Sequence, residues 1–530
     1  MLKLIFLSAM ICLWIGYLFY GRFLSRFFKV DSKRQTPAHT LNDGHDYSPA
    51  KVLVLFGHSF SSIAGAGPIV GPIIACMYFG WLPALLWIIF GSIFIGGLHD
   101  FSTLIMSVRN QGKSIAEVIK LKLGHRIYLM VLVLLFFTLE YVLIVFLDLT
   151  ATGFSTDGSV ATASLTYIFL ALVFGFFMKC KRLFLVSLPF IVILFATVYF
   201  AYLNPLFGFS KSFWQILLLI YCFTVSVLPI KVLLQPRDYL SSYMLYFALV
   251  LGVFGVFLKG DLAISYAYFI PFTERASDTL KLFPVLFITV ACGAVSGFHS
   301  LVESGTISKQ LDNEKDAKII GYGGMLVEAV LAVIALVTIM ILTKEEAVGL
   351  DNPIAIFSHG VGKFAVLLGV EKGFGNTLGY LIISTFLLTT LDTATRISRY
   401  IFQELFNLKT KESVYYSSFF VLILPVAFCF YDSIWKLIWP IFGATNQLVA
   451  AVGLLTVLIW QREKNRGIKF FILLPTLFMF VMSITSLLRT VLTPQLLIIK
   501  ITVLGLIIIT VLLVYFAIKE LFYNSLFKKN

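Results

Sequence analysis

Apolar runs of about 20 residues recur along the whole chain, and they constrain its fold more than any other feature. A run of that length matches the hydrocarbon thickness of a bilayer when it is helical. Inside lipid every main-chain N–H and C=O must find a partner within the protein. Composition agrees: 13% of the 530 residues are charged and 59% are hydrophobic, against about 25% charged in a soluble domain. The chain reads as an all-α polytopic membrane protein of about 15 transmembrane helices. The stretch 434–443 is the weakest helical reading, because Pro440 and Gly443 interrupt it.

The formal charge of +14 would suggest nucleic acid in a soluble protein. Here the bases fall between apolar runs, so topology accounts for them. Let sides alternate with the first loop in the cytoplasm. Arg22, Arg26, Lys29, Lys33, Arg34 and Lys51 then lie inside. So do Arg109, Lys113, Lys120, Lys122 and Arg126, then Lys179, Lys181 and Arg182, then Lys409 and Lys411, then Arg462, Lys464, Arg466 and Lys469. Roughly 30 of the 41 Lys and Arg sort to that side. An outside loop near 148–163 carries Asp148 and Asp157. This predicts an outside N-terminus and an inside C-terminus, and the first apolar run reads as a retained helix rather than a cleaved signal. The six cysteines are scattered, one per apolar segment, with no C-x-x-C; they read as buried hydrophobes, not as a disulfide framework or metal site. No metalloprotease, phosphate-loop or serine-hydrolase motif occurs. The loop 343–375 is short enough to be a lid or a plain connection.

Three segments depart from bland Leu/Ile/Val/Phe. In 52–78, Gly65, Gly67, Pro68, Gly71 and Pro72 resist a continuous helix, so two half-helices should meet around Gly65–Pro68, with His58, Ser61, Ser62 and Gly65 on one face. A proline kink used for packing is the plainer alternative. In 283–303, Gly293 and Gly297 bracket small residues, and Ser296, His299, Ser300 and Glu303 share a face; close helix packing would explain the small residues equally. In 376–405, Thr389, Asp392, Thr393 and Arg396 form one stripe, with Asp392 and Arg396 spaced as an ion pair. A buried charge is costly in lipid, so this stripe should face the bundle interior, with Arg396 able to snorkel. Thr389 and Thr390 read equally as hydroxyls bonded back to their own helix. Asp100, Glu140 and Glu328 are further intramembrane carboxyls, candidates for proton or substrate contact or, if they sit at an interface, for neither.

The two interrupted segments are the second and ninth, so they run in opposite directions, and each is followed by four helices. That spacing is the signature of an inverted-topology repeat. It divides a single transporter domain into a leading helix and loop (1–51), a first repeat (52–203), two inserted helices (204–282), a second repeat (283–460) and two terminal helices (461–530). Half-helix N-termini near the midplane favour an anionic group, and free carbonyls a cation. In a LeuT-like arrangement Thr389 and Thr390 would offer oxygens to a Na⁺ completed by carbonyls near Ile63 and Ala66, with Asp392 alongside. The first half-helix would present His58, Ser61, Ser62, Gly65, Ala66, Gly67 and Pro68 to substrate; the second break would present Ser296, Gly297, His299, Ser300 and Glu303.

Five stretches carry a family resemblance: DGHDYSPAKVLVLFGHSFSSIAGAGPIVGPIIA, VSVLPIKVLLQPRDYLSS, ACGAVSGFHSLVESGT, LTTLDTATRISRYIFQEL and WPIFGATNQLVAA. Through them the chain resembles the carbon starvation protein A (CstA) family from about residue 36 to 460. The resemblance implies a bacterial cytoplasmic-membrane transporter, induced in starvation, that takes up peptides or, in some members, pyruvate, with kinship to LeuT-like proteins. The family's G-H-H-F motif is Gly57-His58-Ser59-Phe60 here, and the chain is shorter than long members after 343, which leaves the substrate open. Peptides and pyruvate share a carboxylate suited to half-helix N-termini. His58 and His299 make H⁺ an alternative to Na⁺ as coupling ion; no other cofactor and no metal is expected. Arg237 and Asp238, read as lying at a cytoplasmic turn after Pro229, are a candidate gate or merely a capped turn. A membrane-embedded nutrient receptor with little or no transport is the alternative function. A membrane enzyme would need a converging nucleophile and base, for which only the two histidines and Glu303 offer themselves.

Overall fold

The computed structural model describes residues 1–43, 46–177, 183–229, 232–257, 262–274, 281–350, 352–463, 469–493 and 496–522. Lys179, Cys180, Lys181, Arg182, Lys464 and Arg466 lie outside the described residues. Among the described residues the chain is helical, with 11 helices long and apolar enough to cross a membrane, or up to 12 when one bent pair counts as a single span. Three shorter apolar helices, Lys211–Val227, Pro353–Leu367 and Ser413–Cys429, complete the bundle. Leu, Ile, Val and Phe cover the outer helices, and the helix Ile434–Glu463 and the segment Gly323–Met340 are almost wholly enclosed.

Several boundaries differ from the sequence reading. Asp148 is not in a loop: the helix His125–Thr156 carries it inward, where Lys211 Nζ reaches its carboxylate at 2.7 Å. The pairing lets the helix stay apolar in effect past a formal charge. Residues 343–375 are not a plain loop either. They hold Lys344–Val348, closed by a Thr343/Glu346 capping box, and Pro353–Leu367, capped by Asn352, which packs along Lys372–Leu405. Pro440 and Gly443 leave Ile434–Glu463 one helix. Gly443 is there for close approach, since a Cβ would meet the Ile288 main chain.

The loops sort into two faces. On one, Ala50 N donates to Gln310 O at 3.0 Å, Tyr47 Oη donates to Gln111 O, and Arg34 and Arg109 both bind the buried carboxylate of Glu314 at 2.7 Å. On the other, Trp81 N donates to Ala267 O, Ile270 N to Phe79 O, Ser265 N to Met340 O, and Tyr202 Oη to Glu371.

Candidate functional site

The helix Val52–Ile63 stops at Ala64, and a second helix, Gly67–Phe79, starts after Ala66 at a bend of 46°. Pro68 fits the first turn of the new helix, where its missing N–H costs nothing. Gly65 is required by proximity: a Cβ would sit 2.8 Å from Thr390 Oγ1 of the long helix Lys372–Leu405.

Residues 282–305 form two short helices, Leu282–Thr289 and Gly297–Gly305, around the non-helical 290–296. The two interrupted segments lie directly against each other. A Cβ on Gly67 would overlap the Cys292 side chain, one on Gly71 would lie 2.6 Å from Thr289 O, and one on Gly293 would approach Pro68 Cα at 3.5 Å.

The freed main-chain groups of 282–305 are largely taken by side chains. Gln447 Nε2 donates to Phe287 O at 2.5 Å, Trp439 Nε1 to Thr289 O at 3.4 Å and Trp87 Nε1 to Val290 O at 3.2 Å. Asn446 Oδ1 accepts from Phe298 N at 3.0 Å, and Asn446 Nδ2 donates to Ser296 Oγ at 3.2 Å. The expectation of carbonyls free for a cation therefore fails at these three positions, because a buried main-chain group is satisfied by whatever donor is nearest. Beside Asn446 and Phe298, between Leu135, Thr138 and Val449, the space amounts to about 10 Å³, room for at most one water.

Behind this half-helix lies a group of buried ionisable side chains. His299 Nδ1 is 2.8 Å from Asp100 Oδ2, and His99 Nδ1 is 2.7 Å from Asp100 Oδ1. His299 Nε2 is 3.1 Å from Glu328 Oε2, within ion-pairing range but out of hydrogen-bond alignment. Ser59 Oγ donates to Glu303 Oε1 at 2.9 Å, joining the first interrupted segment to the second. His99, Asp100, His299, Glu303 and Glu328 are all fully buried. His99 and Asn446 are not among the site residues read from the sequence, and Ser59 enters there only as the departure from the family's motif. Asn446 carried a signal, an amide inside an apolar run; His99 is unremarkable until its partner is known.

The other singled-out residues divide. Ser61 and Ser62 donate back to His58 O at 3.1 and 2.8 Å, and Ser300 to Gly297 O. Thr389 and Thr390 donate back to Thr385 O and Phe386 O, which occupies their hydrogens and leaves the oxygen lone pairs of both hydroxyls as acceptors. Ile63 O accepts from Gly65 N, and Ala66 O from Ile69 N and Val70 N. Glu140 is buried on His125–Thr156, and neither carboxyl oxygen has a hydrogen-bond partner among the described residues.

Two charge assignments need correction. Asp392 does not pair with Arg396. Its Oδ2 contacts Arg237 Nη1 and accepts from Tyr221 Oη at 3.0 Å. Arg396 does not snorkel: it is 6% exposed and donates to Val225 O and Leu228 O at 2.5 and 2.7 Å, the free carbonyls ending Lys211–Val227. The i, i+4 pair yields here because Arg396 is held by main-chain carbonyls of another helix while Arg237 reaches Asp392 from a third. Arg237 and Asp238 lie not in a turn but inside the helix Leu234–Phe257, with Arg237 fully buried. Tyr167 Oη donates to Arg237 O at 2.5 Å.

Interrupted helices in contact, capped by side chains from neighbouring spans and backed by buried imidazoles and carboxyls, define a multi-pass membrane protein with a built polar interior. The model of the family described as carbon starvation protein CstA matches residues 2–366 and 347–486, and the chain belongs to that family. It is 32% identical over 536 residues to the peptide transporter CstA of Helicobacter pylori, covering 86% of this chain and 77% of the relative. It is 31% identical over 531 residues to the peptide transporter CstA of Bacillus subtilis, covering 88% and 86%. To the pyruvate/proton symporter BtsT of Escherichia coli it is 30% identical over 562 residues, covering 86% and 77%. Among solved structures, that of MhsT in complex with L-phenylalanine aligns with 89% of this chain and 99% of its own at a TM-score of 0.49 and 13% identity.

Proposed function

We propose that this chain is a secondary transporter that imports a small carboxylate-bearing nutrient, a short peptide or pyruvate, across the bacterial cytoplasmic membrane. Substrate binds where the two interrupted helices meet, in a LeuT-like inverted repeat, and an ion gradient of Na⁺ or H⁺ drives uptake. The observation that carries this reading is the direct contact of Gly67 with Cys292 and of Gly71 with Thr289, which places two interrupted main chains at one point inside the bundle. The names of the relatives support the substrate class.

A second feature supports the repeat. The helix after each interruption contains one π-helical turn with a glycine pair at its end: Ser92–Gly96 closes on Gly96 and Gly97, and Lys318–Tyr322 is followed by Gly323 and Gly324. Asp100 follows the first and Glu328 the second. Such turns are uncommon and gather at functional sites. The tight packing at the second interruption corresponds to a closed conformation, so access requires the Gly297–Gly305 half-helix to move.

The test is uptake in proteoliposomes. Labelled pyruvate and labelled di- and tripeptides are offered under an inward H⁺ gradient, an inward Na⁺ gradient, or neither. The proposal expects accumulation of at least one substrate above its external concentration under one gradient. Saturable binding of a substrate with no flux under any gradient would identify a receptor instead.

A further inference from the structure

We propose that the His299–Glu328 pair carries the coupling proton, with Asp100 and His99 fixing the imidazole and Glu303 reporting its state to the first interrupted segment. This rests on the transport reading above and commits it to H⁺.

The site is assembled from four elements. His299 lies in the first turn of the half-helix Gly297–Gly305, and Glu303 one turn further on. His99 and Asp100 come from Gly97–Val108, Glu328 from Gly323–Met340, and Ser59 from Val52–Ile63. Gly453 of Ile434–Glu463 closes it from behind, where a Cβ would lie 2.9 Å from His99 Nε2. The titratable groups facing His299 are therefore Asp100, His99, Glu303 and Glu328, with the Cys292 thiol nearby. Among the described residues no lysine or arginine pairs with any of these carboxyls.

Charge balance then fixes the chemistry. Three ionised carboxylates and two neutral imidazoles would bury three uncompensated negative charges, and an unpaired buried charge is normally neutralised by protonation instead. Asp100 can stay ionised, because an Nδ1–H from each imidazole can donate to one of its oxygens. Both rings are thereby fixed with Nδ1 protonated, which leaves Nε2 of His299 to face Glu328. The contact at 3.1 Å accommodates one proton, either as imidazolium with carboxylate or as neutral imidazole with carboxylic acid. Removing that proton leaves Glu328 and Asp100 both negative on either side of a neutral ring.

The placement couples this proton to movement. The imidazole rides on the half-helix that must move for substrate access, and its two carboxyl partners ride on helices that follow the interruptions. Loss of the proton weakens the hold of Glu328 on that half-helix, and gain restores it. Glu303 extends the effect through the Ser59 hydroxyl to the first interrupted segment.

The test separates coupling from transport. In proteoliposomes with the membrane potential clamped, one proton per pyruvate predicts about tenfold accumulation for each pH unit imposed. Counterflow, the exchange of labelled for unlabelled pyruvate at equal pH, needs no net proton movement. Glu328→Gln is expected to abolish pH-driven accumulation while counterflow persists and loses its pH dependence. Glu328→Asp, which keeps an ionisable group one methylene short, is expected to accumulate with a displaced pH profile, and it serves if the amide variant does not fold. Wild-type accumulation in folded Glu328→Gln would overturn the assignment. So would accumulation driven by Na⁺ alone, or equal loss of counterflow and accumulation in a folded variant, which would mark a structural network. Absence of counterflow and flux in the wild type, with pyruvate and with peptides, would overturn the transport reading itself.

Discussion

Asp392, Arg237 and Tyr221 show what a single residue must do to be tolerated in this interior. Arg237 is fully buried, and its guanidinium contacts Asp392 while donating to Tyr221 Oη at 2.5 Å. Arg396 and Arg399 stand nearby, each spent on main-chain carbonyls at 225–228. Asp392→Asn takes from the Arg237 cation the nearer of its two carboxylates and leaves only Asp238, at 3.6 Å. Breaking a buried pair costs about 3–5 kcal/mol when no other partner remains, so the loss here is expected below that range. The variant is expected to unfold at markedly lower temperature in detergent, as followed by size-exclusion fluorescence after heating. The double variant Arg237→Gln, Asp392→Asn removes the cation with its nearer carboxylate and should recover part of that loss, the remainder falling on Asp238. Equal destabilisation of the single and double variants would show that the pair does not hold these helices together. The sequence marks Asp392 as a costly residue but places Arg237 at a cytoplasmic turn, and it does not mark the two as partners, because 155 positions separate them and a helical neighbour at i+4 competed for the same role. Tyr221 was invisible among many tyrosines.

At the scale of elements, the two interruptions differ in how they are written. The first is encoded locally: Gly65, Gly67 and Pro68 stop and restart a helix wherever they occur, so its position was legible. The second depends on Gln447, Asn446, Trp439 and Trp87, which supply the hydrogen bonds that 282–305 forgoes. Those partners lie on other helices, and no periodicity within 283–303 announces them. The contact between the interruptions gives a prediction. Gly67→Ala places a methyl where Cys292 already sits, and overpacking of this kind typically costs about 1–3 kcal/mol. Transport by Gly67→Ala is expected to fall at least tenfold. Adding Cys292→Gly, which vacates the space, should restore most of it. Full activity in Gly67→Ala alone would mean that the two segments are not pressed together in the working protein. Gly71 offers no such rescue, since its neighbour is the main chain of Thr289 and Val290.

Over the whole molecule, the hydrogen bonds between loops give an independent view of topology. Loops 31–50, 109–115 and 306–316 are tied together on one face, through Ala50 with Gln310 and through Glu314 with Arg34 and Arg109. Loops near 80, 265–270, 340 and 371 gather on the other. Strict alternation of the apolar segments assigns the same loops to the same two sides, although the alternation was drawn from charge and spacing alone. The face bearing Glu314 also carries Lys29, Lys33, Arg34, Arg109 and Lys113, so the positive-inside rule predicts that it is the cytoplasmic one. Single cysteines test this. In a background with Cys12 and Cys180 replaced by serine, Lys33→Cys and Lys409→Cys mark the basic face, and Tyr268→Cys, at a side chain 65% exposed, marks the opposite one. A membrane-impermeant maleimide applied to intact cells should label position 268 alone. Positions 33 and 409 should react only once the membrane is opened. The reverse pattern would turn the molecule over and place the Arg34–Glu314–Arg109 cluster outside. Labelling of 33 and 409 from opposite sides would mean that the number of crossings between them is odd, and would contradict the even count that the inverted repeat requires.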